Sequence, residues 1–154
     1  MIPPDLVSST MLELIAFRVA GQEFCVDIMG IREIRGWTVA TPLPQSPPFV
    51  CGVINLRGSV LPIIDLAARL GFPAACPTER HVIIVAQIGR QVAGLLVDAV
   101  SDILTTTATA VQATPNIASD TIRSMVRGLL ALDGRMISLI ALDNLLPSVA
   151  AEAA

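Results

Sequence analysis

Gly52-Val53-Ile54-Asn55-Leu56-Arg57-Gly58-Ser59-Val60-Leu61-Pro62-Ile63-Ile64-Asp65-Leu66 is the stretch whose reading decides the fold. An apolar run, a two-residue break at Arg57-Gly58 and a second apolar run predict two strands joined by a tight turn. Pro62 has no N–H to give to a ladder, which places it at an edge or a bulge. The pattern recurs along the chain. Residues 14–19 and 23–28 flank a turn at Gly21-Gln22, 82–88 and 92–97 flank Gly89-Arg90, and 128–132 and 135–142 flank Asp133-Gly134. The Asp-Gly step favours a type I′ turn, in which both central residues need positive φ. Gly58, Asp133 and Gly134 are therefore structural turn residues. Helix is minor: 28–34 suits about two turns, 65–70 a short helix stopped by Gly71 and Pro73, and 143–146 a last turn. The uncharged segment 105–119 reads either as an extended loop or as a weak helix.

The chain also repeats itself. Gly52 is followed six positions on by the turn glycine Gly58, then by a strand and Asp65. Gly128 is followed six positions on by Gly134, then by a strand and Asp143. A second pair, Val26-Asp27 leading to Ile31, Glu33 and Ile34, matches Val97-Asp98 leading to Val100, Asp102 and Ile103. Two similar halves follow, each with two hairpins. The expectation is a single domain over 12–149, with halves 12–76 and 77–149, flexible termini at 1–11 and 150–154, and the strand exchange between halves open. Four or five short strands per half suit small closed barrels, which hide their edges. A barrel of about 60 residues is marginal alone, so two would pack side by side and leave a groove between them.

Composition narrows the function. Of 154 residues, 53% are hydrophobic and 15% charged, which supplies a core and rules out intrinsic disorder. So few charges leave apolar surface, and apolar surface patches mark partner sites. The net charge is −3, with scattered basic residues, no Tyr and one Trp, which argues against nucleic acid. No uninterrupted apolar run reaches the 20 or so residues of a membrane span, and the N terminus does not read as a signal peptide, so the chain is expected in the cytoplasm. Cys25, Cys51 and Cys76 have no metal or redox spacing and read as reduced thiols.

Catalytic chemistry finds little footing. His81 is the only histidine, and it precedes an apolar strand as a structural residue would. There is no phosphate loop, no metal-ligand cluster and no cofactor motif. Asp27, Asp65, Asp98 and Asp143 each follow a strand and read as caps of a helix or turn. What remains is Ile31-Arg32-Glu33-Ile34-Arg35-Gly36 and the opening stretch. Arg57 stands at a turn between apolar runs, and Glu33 is the nearest unpaired acid. Arg57 reads equally as a solvated turn residue.

These two segments resemble the CheW family of bacterial chemotaxis coupling proteins, most specifically in Asn55-Leu56-Arg57-Gly58 followed by Pro62 and Asp65-Leu66. Gly94-Leu95-Leu96-Val97-Asp98 and the 128–135 hairpin are similar to further family segments. The resemblance implies an all-β fold with minor helix, two five-stranded SH3-like β-barrel subdomains side by side. It implies a non-enzymatic adaptor without cofactor or metal. Such an adaptor bridges the cytoplasmic tip of a chemoreceptor (a methyl-accepting chemotaxis protein) to the regulatory domain of the histidine kinase CheA, in arrays at the inner face of the membrane. It also implies receptor-side positions at Ile31, Glu33 and Arg57, with Gly52 beside them. Two alternatives stay open: an adaptor for another receptor–kinase pathway such as surface motility, and a small-molecule-binding barrel protein using the cleft between subdomains.

Overall fold

The turns carry the architecture. Ala20-Gly21, Arg57-Gly58 and Asp133-Gly134 all have positive φ, near +50° at the first residue and +77° to +87° at the second. This is the type I′ geometry whose twist matches paired strands. The computed structural model describes residues 11–115 and 119–146, with Thr121 described by its backbone alone. The strands are β1 (Met11–Val19), β2 (Gln22–Asp27), β3 (Ile31–Gly36), β4 (Val50–Leu56), β5 (Ser59–Asp65), β6 (Val82–Ile88), β7 (Gln91–Val97), β8 (Ala99–Thr107), β9 (Val126–Leu132) and β10 (Arg135–Ile140). Two short helices, α1 (Leu66–Arg69) and α2 (Asp120–Met125), join them. The first turn sits one residue earlier than the sequence suggested, because Gln22 already pairs with Val19.

Two five-stranded sheets result, ordered β8-β1-β2-β10-β9 and β3-β6-β7-β5-β4. The orders are equivalent, strand for strand, under the duplication. Each sheet has one parallel pair, β10 with β2 and β5 with β7. The first repeat, β1 to β5, gives two strands to one sheet and three to the other, and the second repeat does the converse. The crossovers are β2 into β3 and β7 into β8. The linker between repeats runs from the end of α1 to β6. Of the expected flexible termini, Met11 opens β1 and the rest lies outside the described residues.

Closed barrels are not formed by strand ladders. No ladder joins β3 to β4 or β8 to β9. Instead the chain beyond each first edge strand turns back across the gap. Thr41 and Val53 exchange two 2.8 Å backbone hydrogen bonds, as do Gln112 and Leu129. Gly52 and Gly128, the first glycines of the two repeats, admit these bridges. A Cβ on Gly52 would lie 2.6 Å from the Thr41 carbonyl carbon, and one on Gly128 would lie 2.6 Å from Val111 Cγ1.

Three apolar clusters form the core of the described residues. Leu14, Ala16, Cys25, Leu130, Ile137 and Leu139 fill the first subdomain. Ile54, Leu61, Ile63, Ile83, Val85 and Leu96 fill the second. The largest cluster lies between them, with Ile15, Phe17 and Val26 meeting Ile64, Ile84 and Leu95. Neighbours on β1, β5, β6 and β7 alternate between an inner cluster and the shared one, so these strands are buried on both faces. That is why they read as continuous apolar runs.

Several expectations need correction. Residues 28–34 are not two helical turns: a 3₁₀ turn at Ile28–Gly30 leads straight into β3. The seam between subdomains is not a greasy groove, because the shared cluster fills it. Pro62 lies in β5, between β7 and β4. Its partner Val53 spends its backbone groups on Thr41, and the β5–β7 pairing starts only at Ile63 and Gly94. Pro62 thus occupies the unpaired first half of β5, a local edge inside the sheet. Asp27 caps through Met29 N at 2.9 Å and Asp65 caps through Ala67 N at 3.1 Å. Asp98 accepts from Ala20 N at 3.0 Å, while Asp143 lies within a 3₁₀ turn that has no side-chain cap. His81 precedes β6, accepts from Thr78 N at 3.0 Å, and lies 3.5 Å from Asp98.

The first sheet has the same split between its parallel strands, since β10 meets β2 only from Ser138 and Phe24. There Arg135 spans the gap, bonded to Glu23 on β2 and, at 3.3 Å, to Asp102 on β8. The Arg135 hydrogen bond holds the Glu23 carboxyl below its ordinary value of 4.5. A lowered folded-state value means that Glu23 contributes stability above pH 4.5 and loses it as pH falls through the folded value. Glu23→Gln is expected to flatten the acid limb of thermal midpoint against pH below about 4.5, as followed by circular dichroism. An unchanged acid limb would contradict the assignment.

Candidate functional site

The corresponding split in the second sheet is open. The Arg57-Gly58 turn is pinned by Asn55, whose side-chain oxygen accepts from Gly58 N at 2.8 Å. Arg57 takes the positive φ of this turn, and its guanidinium reaches β3. It bonds there to Glu33, which β3 presents just past the bulge between Ile31 and Glu33. A groove of about 750 Å³ opens under this pair, lined by Leu56, Val60, Leu61, Pro62 and Val85 among others. Val60 is 74% exposed. Arg32 borders the groove and donates to Gln87 at 2.7 Å, while Gln87 donates to Gly89 O at 2.9 Å.

Glu33 and Arg57 each favour the charged form of the other. The Arg57 hydrogen bond holds the Glu33 carboxyl below the ordinary range, and Arg35 lowers it further. Glu33 in turn raises Arg57. The Arg57 side chain is 72% exposed and Glu33 29%. At such exposure the pair adds little to stability.

The structure brings Glu33 and Arg57 together and separates the other two expected positions from them. Ile31 is half-buried and packs against the shared cluster, on the far side of the β3 bulge. Gly52 is buried beneath Thr41, so its contribution to the site is the shape of β4. Gly58, Asp133 and Gly134 occupy turns with positive φ. Sequence reasoning missed Arg32 and Gln87, whose pairing depends on β3 lying beside β6. It also missed a second groove of about 500 Å³ at the rim of the seam, where the 88% exposed Met29 stands near Arg127 and Asp143. Among the described residues no helix is long and apolar enough to cross a membrane.

Comparisons with known proteins agree with this fold. The family model described as CheW-like domain matches residues 13–150. The chain is 66% identical to Chemotaxis protein CheW of Rhizobium meliloti over 142 residues, 92% of each protein. It is 37% identical to Chemotaxis protein CheW of Klebsiella aerogenes, over 88% of this chain and 82% of that one. Among solved structures it superimposes on the scaffolding protein TtCheW of Thermoanaerobacter tengcongensis with a TM-score of 0.81 at 30% identity, covering 88% of this chain and 92% of that one. With two duplicated five-stranded subdomains, an open groove under Glu33 and Arg57, and these matches, the chain belongs to the CheW-like domain family of chemotaxis scaffold proteins.

Proposed function

We propose that this chain is a non-enzymatic adaptor that couples chemoreceptors to the histidine kinase CheA in a receptor array at the inner face of the cytoplasmic membrane. The helical tip of the receptor lies along the second-sheet groove, and the regulatory domain of CheA binds elsewhere on the molecule. The observation that carries this reading is the Glu33–Arg57 pair beside a solvent-open groove whose lining is half apolar, from Leu56, Val60, Leu61, Pro62 and Val85, and half polar. Apolar burial along Val60, Leu61 and Pro62 supplies affinity, and the paired charges set register.

Arg57→Ala is expected to weaken retention on an immobilised receptor fragment by about tenfold while leaving retention on the kinase unchanged. Arg57→Gly is the cleaner companion variant. Glycine accepts the +51° φ of this position, so the side chain is removed without straining the turn. Unchanged receptor retention for both variants would refute the assignment of the groove.

A further inference from the structure

A single linker connects two repeats that share both sheets. Neither repeat contains a whole sheet: β1 and β2 depend on β8, β9 and β10, and β6 and β7 depend on β3, β4 and β5. The shared cluster joins the repeats too, with Phe17 and Val26 from the first against Ile84 and Leu95 from the second. One covalent connection, 73–80, links them. It is exposed apart from half-buried Ala75. Its hydrogen bonds reach Asp65, in the first repeat, through Ala75 N at 2.8 Å, or close within 78–81. Pro73 and Pro77 favour an extended path.

We propose that two copies exchange repeats about this linker, giving a dimer in which each two-sheet body takes β1 to β5 from one copy and β6 to β10 from the other. Every contact between the repeats is then made between copies instead of within one, and only the linker changes its path. The dimer carries two complete grooves. Each draws Glu33, Arg57 and Val60 from one copy and Val85, Gln91 and Val92 from the other. Such a particle is bivalent, so two partner helices can be held by one assembly. Intramolecular pairing favours the monomer until chains fold at about millimolar concentration, the scale of the effective concentration along a short linker. Once formed, the dimer persists, because the repeats cannot separate without unfolding both sheets.

Cys76 reports the exchange directly. It lies in the linker and is exposed, whereas Cys25 is buried and Cys51 partly so. In the exchanged dimer the two linkers run past each other and bring the Cys76 residues together. The intact chain, labelled at Cys76 with pyrene in the native state, is unfolded and refolded at about 1 mM, and its soluble fraction is diluted to about 1 µM. The expected result is a dimer on size exclusion whose excimer emission lasts for hours after dilution. A never-unfolded sample is expected to show monomer emission. Monomer alone after refolding would overturn the proposal. So would a dimer that disperses within the mixing time, which marks surface association. Receptor binding plays no part in this readout, so it stands or falls apart from the groove assignment.

Discussion

Gly52→Ala is expected to leave the chain largely unfolded at moderate urea concentrations where the parent protein is intact. Two costs add at this position. Its φ of +147° lies where L-residues are strained, a cost of about 1–3 kcal/mol. Its new methyl would also meet the Thr41 carbonyl group, a backbone neighbour that the bridge to Val53 holds in place. Forcing that contact costs about 1–3 kcal/mol more, or breaks the bridge and opens the gap between β3 and β4. Against a typical stability of about 5–15 kcal/mol the loss is large. Two controls separate the causes. Gly58→Ala carries strain at φ +87° but meets nothing within 4 Å, so its loss should be smaller. Gly128→Ala carries the steric cost against Gln112 and Val111 without a positive φ. Urea denaturation should rank Gly52→Ala as the most damaging of the three. Equal losses at Gly52 and Gly58 would remove the bridge from the explanation.

Leu95→Ala should cost about 2–5 kcal/mol, the range for emptying a buried leucine site. Leu95 is fully buried on β7, pairs in register with Ile84 and Ile64, and belongs to the cluster between the sheets. The consequence extends beyond the second subdomain. Because each sheet contains strands of both repeats, neither has a folded state without the other. Trp37, the only tryptophan, packs against the inner cluster of the second subdomain and reports on it. Circular dichroism reports on both sheets. The two signals should fall together in urea, in the parent and in Leu95→Ala alike, with the midpoint of the variant shifted down. Loss of the Trp37 signal while half the strand signal survives would show that the subdomains are separable.

Four hairpins and the duplication were legible because their signals are local. Arg57-Gly58 and Asp133-Gly134 announce turns, and matching glycines stand at the same distance before each. β3 resembles a helix in sequence because Ile31 and Ile34 are three apart, a helical spacing. The bulge between Ile31 and Glu33 breaks the period of two that would have marked a strand. β8 was missed for a related reason: it is an edge strand whose exposed Ser101, Asp102 and Ile103 interrupt any alternation. Its threonines at 105–107 were the β-branched signal that remained. At the site, the family resemblance and the turn marked Arg57 and Glu33. The pairing of β3 with β6 that places Arg32 beside Gln87 is long-range and leaves no mark in either segment. The barrel ends in single bridges for the same kind of reason, since the Thr41–Val53 contact is visible only once Gly52 is seen to lack a side chain beneath it.

The adaptor account is tested most directly by reconstitution. A CheA-type kinase and a receptor cytoplasmic fragment are mixed with and without this chain, and complex formation and kinase autophosphorylation are measured together. The account predicts a three-component complex in which kinase activity responds to the receptor only when the chain is present, with the response lost in Arg57→Gly. A kinase that responds equally without the chain, or a chain that enters no complex with either protein, would contradict it.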